Sequence, residues 1–208
     1  MSTEADELKK SGDKHQAKKD YDKAITDYTA AINLEPDNPT YLNNRGDAYY
    51  DKNDYDNAIA DYTAAIKFKP DNPTYLNNRG NAYYSNEDYD NAIADYTAAI
   101  NLKPDNPTYL NNRGNAYYSN EDYDNAIADY TVAINLEPDN PTYLKNRCDA
   151  YYSKKDYDNA IADYTAAIKF KPDNPTYFYN RGVAYYNKND CDNAIADLTE
   201  AIMGVKND

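Results

Sequence analysis

The 208 residues contain no tryptophan, one histidine, two cysteines and two methionines. A single histidine, His15, excludes the paired-imidazole metal sites, and no motif places it in a Ser–His constellation for hydrolysis. Cys148 and Cys191 are too few for a disulfide framework and lack metal-ligand spacing or a catalytic neighbour. They are expected to be reduced thiols of a cytoplasmic protein, both drifted from packing positions. None of the six glycines builds a phosphate-binding loop. The acidic stretch DKNDYD at 51–56 lacks the glycine and final glutamate of a calcium loop, and proline inside each NPT forbids N-glycosylation. No apolar run approaches the roughly 20 residues of a membrane span. The opening MSTEADELKK has no signal-peptide hydrophobic region. Positive charge is scarce too, with 22 Lys and Arg against 36 Asp and Glu and a net charge of −14. That balance argues against binding a phosphate backbone or an anionic membrane. The expectation is a chain with no catalytic activity, cofactor or metal, and no nucleic-acid or membrane partner.

What is abundant is tyrosine, 26 residues of it, and repetition. Tyrosine buries a large ring but needs a partner for its hydroxyl, so a tyrosine-built core has wet edges. The stretch NNRGNAYYSNEDYDNAIADYT stands at 77–97 and again, letter for letter, at 111–131. The interval of 34 residues divides the chain into units 4–37, 38–71, 72–105, 106–139, 140–173 and 174–207, read as one domain of six repeats. The third and fourth units differ only at Ala98 against Val132 and Lys103 against Glu137. A catalytic centre is normally built once; a copied unit builds a repeating surface.

Each unit spells a helical hairpin. In 72–105, Asn72 is an N-cap and Pro73 sits at the first helical position, where its missing N–H costs nothing. Leu76, Gly80, Ala82 and Tyr83 then recur at helical spacing to about Asn86. NED makes a short turn. A second helix from near Tyr89 carries Ala92, Ile93, Tyr96, Ala99 and Ile100 on one face, and Pro104 stops it.

The unit resembles the tetratricopeptide repeat, whose pattern of a large apolar residue, Leu-Gly, Tyr, Ala, Phe, Ala and Pro falls on Leu42, Arg45–Gly46, Tyr49, Ala58, Tyr62, Ala65 and Pro70. The resemblance covers residues 4–207 and implies an all-α, right-handed superhelical solenoid of antiparallel helix hairpins. Arg45, Arg79, Arg113, Arg147 and Arg181 depart from it, standing where the family often has leucine. Each comes with an aspartate on the second helix, which points to a structural Arg–Asp or Arg–backbone ladder inside the stack, with contact to a ligand as the alternative.

By the same resemblance, the first helices line a concave groove that presents Asn77, Asn78, Asn81 and Tyr84 from one unit and Asn111, Asn112, Asn115 and Tyr118 from the next. Tyr50 and Tyr152 occupy the corresponding places. Asn44, Asn78, Asn112, Asn146 and Asn180 form an unbroken row, similar to an asparagine ladder known in the family. A carboxamide offers a donor and an acceptor side by side and can grip a peptide backbone with little regard to sequence. The same asparagines can instead serve helix packing. A family carboxylate clamp is not expected, because Lys9, Asp13, Asn44, Thr74 and Asn78 supply too few of its residues.

The implied role is a non-catalytic interaction scaffold whose partner is a protein or peptide segment held extended in the groove. A second reading is self-association through the C-terminal face, where Ile195, Leu198 and Ile202 are expected to lie partly exposed. Near-identical copies also suit a consensus-like array with no native partner. At the N-terminal end, Glu7, His15 and Gln16 replace structural positions, and His15 is expected to be a polar cap residue without clustered partners.

Overall fold

The computed structural model describes residues 3–204, and every regular element among them is an α-helix. In chain order these are α1 (Glu4–Ala17), α2 (Tyr21–Leu34), α3 (Pro39–Asp51), α4 (Tyr55–Phe68), α5 (Pro73–Ser85) and α6 (Tyr89–Leu102). They continue as α7 (Pro107–Ser119), α8 (Tyr123–Leu136), α9 (Pro141–Ser153), α10 (Tyr157–Phe170), α11 (Pro175–Asn187) and α12 (Cys191–Gly204). The chain divides into two compact units, Met1–Pro104 and Asp105–Asp208, each carrying three hairpins.

Local chemistry sets the helix ends. The side chains of Asn38, Asn72, Asn106, Asn140 and Asn174 each accept the backbone N–H two residues on, 3.0–3.1 Å away, with proline at the next position. The odd-numbered helices end on a residue in the left-handed region, such as Asn53 at φ 63° or Glu87 at φ 60°. That conformation turns the N–H of Asp54 back to the carbonyl of Tyr49 at 2.9 Å. The carboxylate of Asp54 then caps α4 through the N–H of Asn57.

Within a hairpin, the missing side chain of one helix makes room for a ring on the other. A Cβ on Gly46 would lie 2.8 Å from Cε1 of Tyr62, and one on Gly80 would lie 2.7 Å from that of Tyr96. Buried Ala58 and Tyr62 pack with Ala82 of the following hairpin, so one hairpin covers the next. In the second unit Leu144, Cys148, Ala160, Tyr164, Ala167 and Tyr177 form the corresponding core.

Cys148 stands where other hairpins have glycine and is fully buried. The hydroxyl of Tyr164 still reaches Asp149, at 3.1 Å, as that of Tyr62 reaches Asp47 at 2.7 Å, so the hairpin accommodates the added thiol. Burial pushes the Cys148 thiol well above its ordinary range, which keeps it protonated and unreactive. Cys191 departs from expectation. It is exposed at the start of α12 and packs no core.

Candidate functional site: the face of the odd-numbered helices

The repeated arginines are structural. Nε and Nη2 of Arg45 both donate to Asp61 at 2.7 Å, and Nη1 donates to Thr29 of the preceding hairpin at 3.1 Å. Arg79 treats Asp95 and Thr63 in the same way, as Arg147 does Asp163 and Thr131 and Arg181 does Asp197 and Thr165. Arg113 also holds Asp129 through two bonds. These forked pairs tie a hairpin internally and, within each unit, the threonine bonds of Arg45, Arg79, Arg147 and Arg181 tie it to its predecessor.

The first hairpin lacks this device because Ser11 takes the arginine's place. Its Asp27 keeps a buried Oδ2 without a hydrogen bond among the described residues. His15 is not the solitary residue expected from sequence. Its Nε2 lies 3.8 Å from Asp27 and its Nδ1 3.9 Å from Asp20, because the chain turns back between α1 and α2.

Within each unit the row asparagines lie on its odd-numbered helices, and the amide nitrogens of Asn44, Asn78 and Asn146 reach backward along the chain. In the first unit Asn78 Nδ2 donates to Asn43 Oδ1 at 3.1 Å and to Asp47 Oδ1 at 3.2 Å, while Asn44 reaches Asp13 at 3.4 Å. In the second unit Asn146 Nδ2 donates to Asn111 Oδ1 at 2.9 Å and Asn115 Oδ1 at 3.2 Å. Asn112 holds the same place on α7, and Asn180 on α11 hydrogen-bonds the Tyr164 hydroxyl. Asn77 and Asn111 are buried behind this row. The neighbouring Asn81 and Asn115 accept the hydroxyls of Tyr96 and Tyr130 at 2.8 Å.

Tyr50, Tyr84, Tyr118 and Tyr152 flank the row, half-buried. Each packs at a tilt of 52–60° against the first tyrosine of the next helix, with ring centroids 5.6–5.7 Å apart. The Tyr50 hydroxyl meets Ser85 at 3.0 Å and that of Tyr118 meets Ser153 at 2.9 Å. These rings are held from two sides.

Asp47 sits in the first unit at the position of Asn81 and Asn115. It accepts from Tyr62, Asn43 and Asn78, and no cation pairs with it among the described residues. Burial, with the Asp51 charge adding to it, pushes its carboxyl up to about 6, against the hydrogen bonds from Tyr62 and Asn43. A cleft of about 320 Å³ opens beside it, lined also by Gln16, Tyr50, Asp51 and Asn78.

The last hairpin differs from the others, which sequence reasoning passed over. Tyr179 stands where Asn43, Asn77 and Asn111 stand, and Val183 where Asn81 and Asn115 stand. Cys191 replaces the ring that would pack against Tyr186, which is 66% exposed, and Tyr179 is 56% exposed. A cleft of about 250 Å³ lies between α9 and α11, lined by Asp149, Tyr152, Tyr164, Tyr179, Asn180 and Val183. The signal was the departure of one copy from an otherwise constant pattern.

Along α12, Ile195 and Ile202 are 65% and 62% exposed, with Met203 next to Ile202 in sequence. Leu198, placed in the same group from sequence, is half-buried against Gly182. No helix among the described residues is long and apolar enough to cross a membrane.

The comparisons with known proteins agree with this architecture. The TPR repeat model matches residues 12–52, 46–87, 80–121 and 149–189, and the tetratricopeptide repeat model matches 107–140. The fold is shared with a tetratricopeptide repeat protein from Parabacteroides merdae, at TM-score 0.81 and 21% identity over 96% of this chain and 79% of that one. It is shared also with YrrB, a TPR protein with an unusual peptide-binding site, at TM-score 0.73 and 21% identity over 85% and 91% of the two chains. A 42-residue segment is 50% identical to the heat-shock protein cognate co-chaperone sgt12 of Aspergillus fumigatus, covering 20% of this chain and only 12% of that relative. Hairpin chemistry, repeat length and family models coincide along most of the sequence, and the chain therefore belongs to the tetratricopeptide repeat family.

Proposed function

We propose that this protein is a non-catalytic interaction scaffold in which the odd-numbered helices of a unit hold an extended peptide segment of another protein. The observation that carries the reading is the asparagine row: Asn44 and Asn78 in one unit, Asn112, Asn146 and Asn180 in the other. Where the amide nitrogen is tied to the preceding hairpin, as in Asn78 and Asn146, the side chain is oriented before any ligand arrives. Its carbonyl oxygen is then the acceptor left to offer a passing backbone N–H. Pre-orientation lowers the ordering cost of binding. Tyr50, Tyr84, Tyr118 and Tyr152 supply flat walls beside the row, while Asn77, Asn81, Asn111 and Asn115 stand behind it and hold it in place. A fold neighbour with a peptide-binding site makes peptide capture compatible with the architecture.

The test compares a peptide that the protein captures with its N-methylated counterpart, which cannot donate from the backbone, leaving the protein unaltered. Loss of binding on N-methylation, and a parallel loss in a folded Asn112→Ala/Asn146→Ala/Asn180→Ala variant, is expected. Equal binding of both peptides refutes a backbone grip.

The exposed Ile195, Ile202 and Met203 favour a second reading, self-association through the α12 face. Light scattering over a wide concentration range decides it, since a single-chain mass throughout rules it out.

A further inference from the structure

We infer that the cleft between α9 and α11 receives a lysine or arginine side chain of an extended basic segment. The inference rests on the proposed peptide-holding role and names the chemistry of the segment. A lysine or arginine side chain is an aliphatic stem with a cation at its tip, and the cleft is its complement. Val183 and the rings of Tyr152 and Tyr179 give apolar walls, while Asp149 supplies a carboxylate and Tyr164 and Asn180 supply polar groups. The tyrosine faces add attraction for a cation, which strengthens as the site loses water. The chain's net charge of −14 draws basic segments toward it.

The carboxylate is already shown binding an ammonium. Lys145 Nζ lies 2.7 Å from Asp149 Oδ2, while Oδ1 accepts the Tyr164 hydroxyl at 3.1 Å. Lys145 is half-exposed, and it stands where Asn43, Asn77 and Asn111 stand in the preceding hairpins. It therefore acts as a competitor within the same chain, one that an incoming cation must share with or displace. The same position elsewhere is different: Asn81 and Asn115 are neutral amides, and Asp47 faces the amide-lined cleft of the first unit. Asp13 is likewise paired with a lysine, Lys9 at 2.8 Å, but the next hairpin carries Asn43 and Asp47 where the one after Asp149 carries Tyr179 and Val183.

The experiment uses the full chain, 15N-labelled, titrated with nine-residue Gly/Ser peptides whose central residue is Arg, Lys, citrulline, Leu or Glu. The Arg and Lys peptides are expected to shift the backbone amides of Tyr179, Asn180 and Val183 and to bind about tenfold tighter than citrulline or Leu, the effect of one desolvated cation–π and carboxylate contact. Added salt should narrow that preference. Asp149→Asn and Tyr179→Asn should abolish it, and Lys145→Asn should increase it. All three variants install residues that the same positions carry in other hairpins, so the fold is expected to persist. Tighter binding of the Leu peptide would make the cleft an apolar receptor and overturn the inference. Equal binding of all five also overturns it, yet leaves the backbone grip standing. If no peptide binds, both readings fall.

Discussion

Replacing Asp47 by asparagine should stabilise the first unit, and more so as pH rises. The carboxyl of Asp47 is pushed up to about 6 by burial and the nearby Asp51, against an ordinary value of 3.8. A raised carboxyl holds its proton in the folded state at pH values where the unfolded chain has released it. Stability is therefore fully present at low pH and falls as pH climbs through the folded value. Moving the carboxyl from 3.8 to about 6 corresponds to at most about 3 kcal/mol above pH 7, with roughly half of it already lost at pH 5. The fourth hairpin supplies the design. There Asn115 takes the place of Asp47, accepting Tyr130 at 2.8 Å and Asn146 at 3.2 Å. An asparagine at 47 can therefore keep the bonds from Tyr62 and Asn78 without a buried charge. Urea unfolding followed by circular dichroism should give Asp47→Asn an advantage that widens by about 1–1.5 kcal/mol between pH 5 and pH 8. An advantage that stays constant across that range, or a less stable variant at pH 8, would refute the reasoning. Either result would mean that three hydrogen bonds keep the carboxylate ionised.

Three further outcomes follow from the packing. Arg79→Ala leaves Asp95 buried without its forked partner and should cost about 3–5 kcal/mol; Arg79→Leu combined with Asp95→Leu should recover much of it, and a double-mutant cycle in urea measures the coupling. Gly80→Ala places a Cβ 2.7 Å from the buried Tyr96 ring, so about 1–3 kcal/mol of overpacking should outweigh the roughly 1 kcal/mol gained in helix propensity, checked by thermal unfolding. If the α12 face associates, Ile195→Lys with Ile202→Lys should return any assembled mass to that of one chain in light scattering, with helicity retained.

The hairpins were legible in the linear order because their causes are local. Asn72 followed by Pro73 marks a start, and the apolar spacing through Leu76, Gly80 and Tyr83 marks a buried stripe. A 34-residue period then requires neighbours to cover that stripe. The expected second helix from Tyr89 and the observed Tyr89–Leu102 coincide for this reason. Arg79 and Asp95 were paired in advance because they recur together. The asparagine row was also visible, although its backward reach from Asn78 to Asn43 and Asp47 depends on how closely two hairpins approach.

Side-chain neighbours from different helices were decided only in three dimensions. His15 gained two carboxylates through the turn between α1 and α2, and Leu198 turned inward onto Gly182. The cleft of Tyr152, Tyr179, Val183 and Asp149 joins residues from two hairpins and was hidden by attention to what the copies share. Sequence alone determined the repeating unit, because capping and helical periodicity act over a few residues. Tertiary structure decided which polar groups are partnered and which faces stay open, because burial and charge pairing depend on atoms that only stacking brings together.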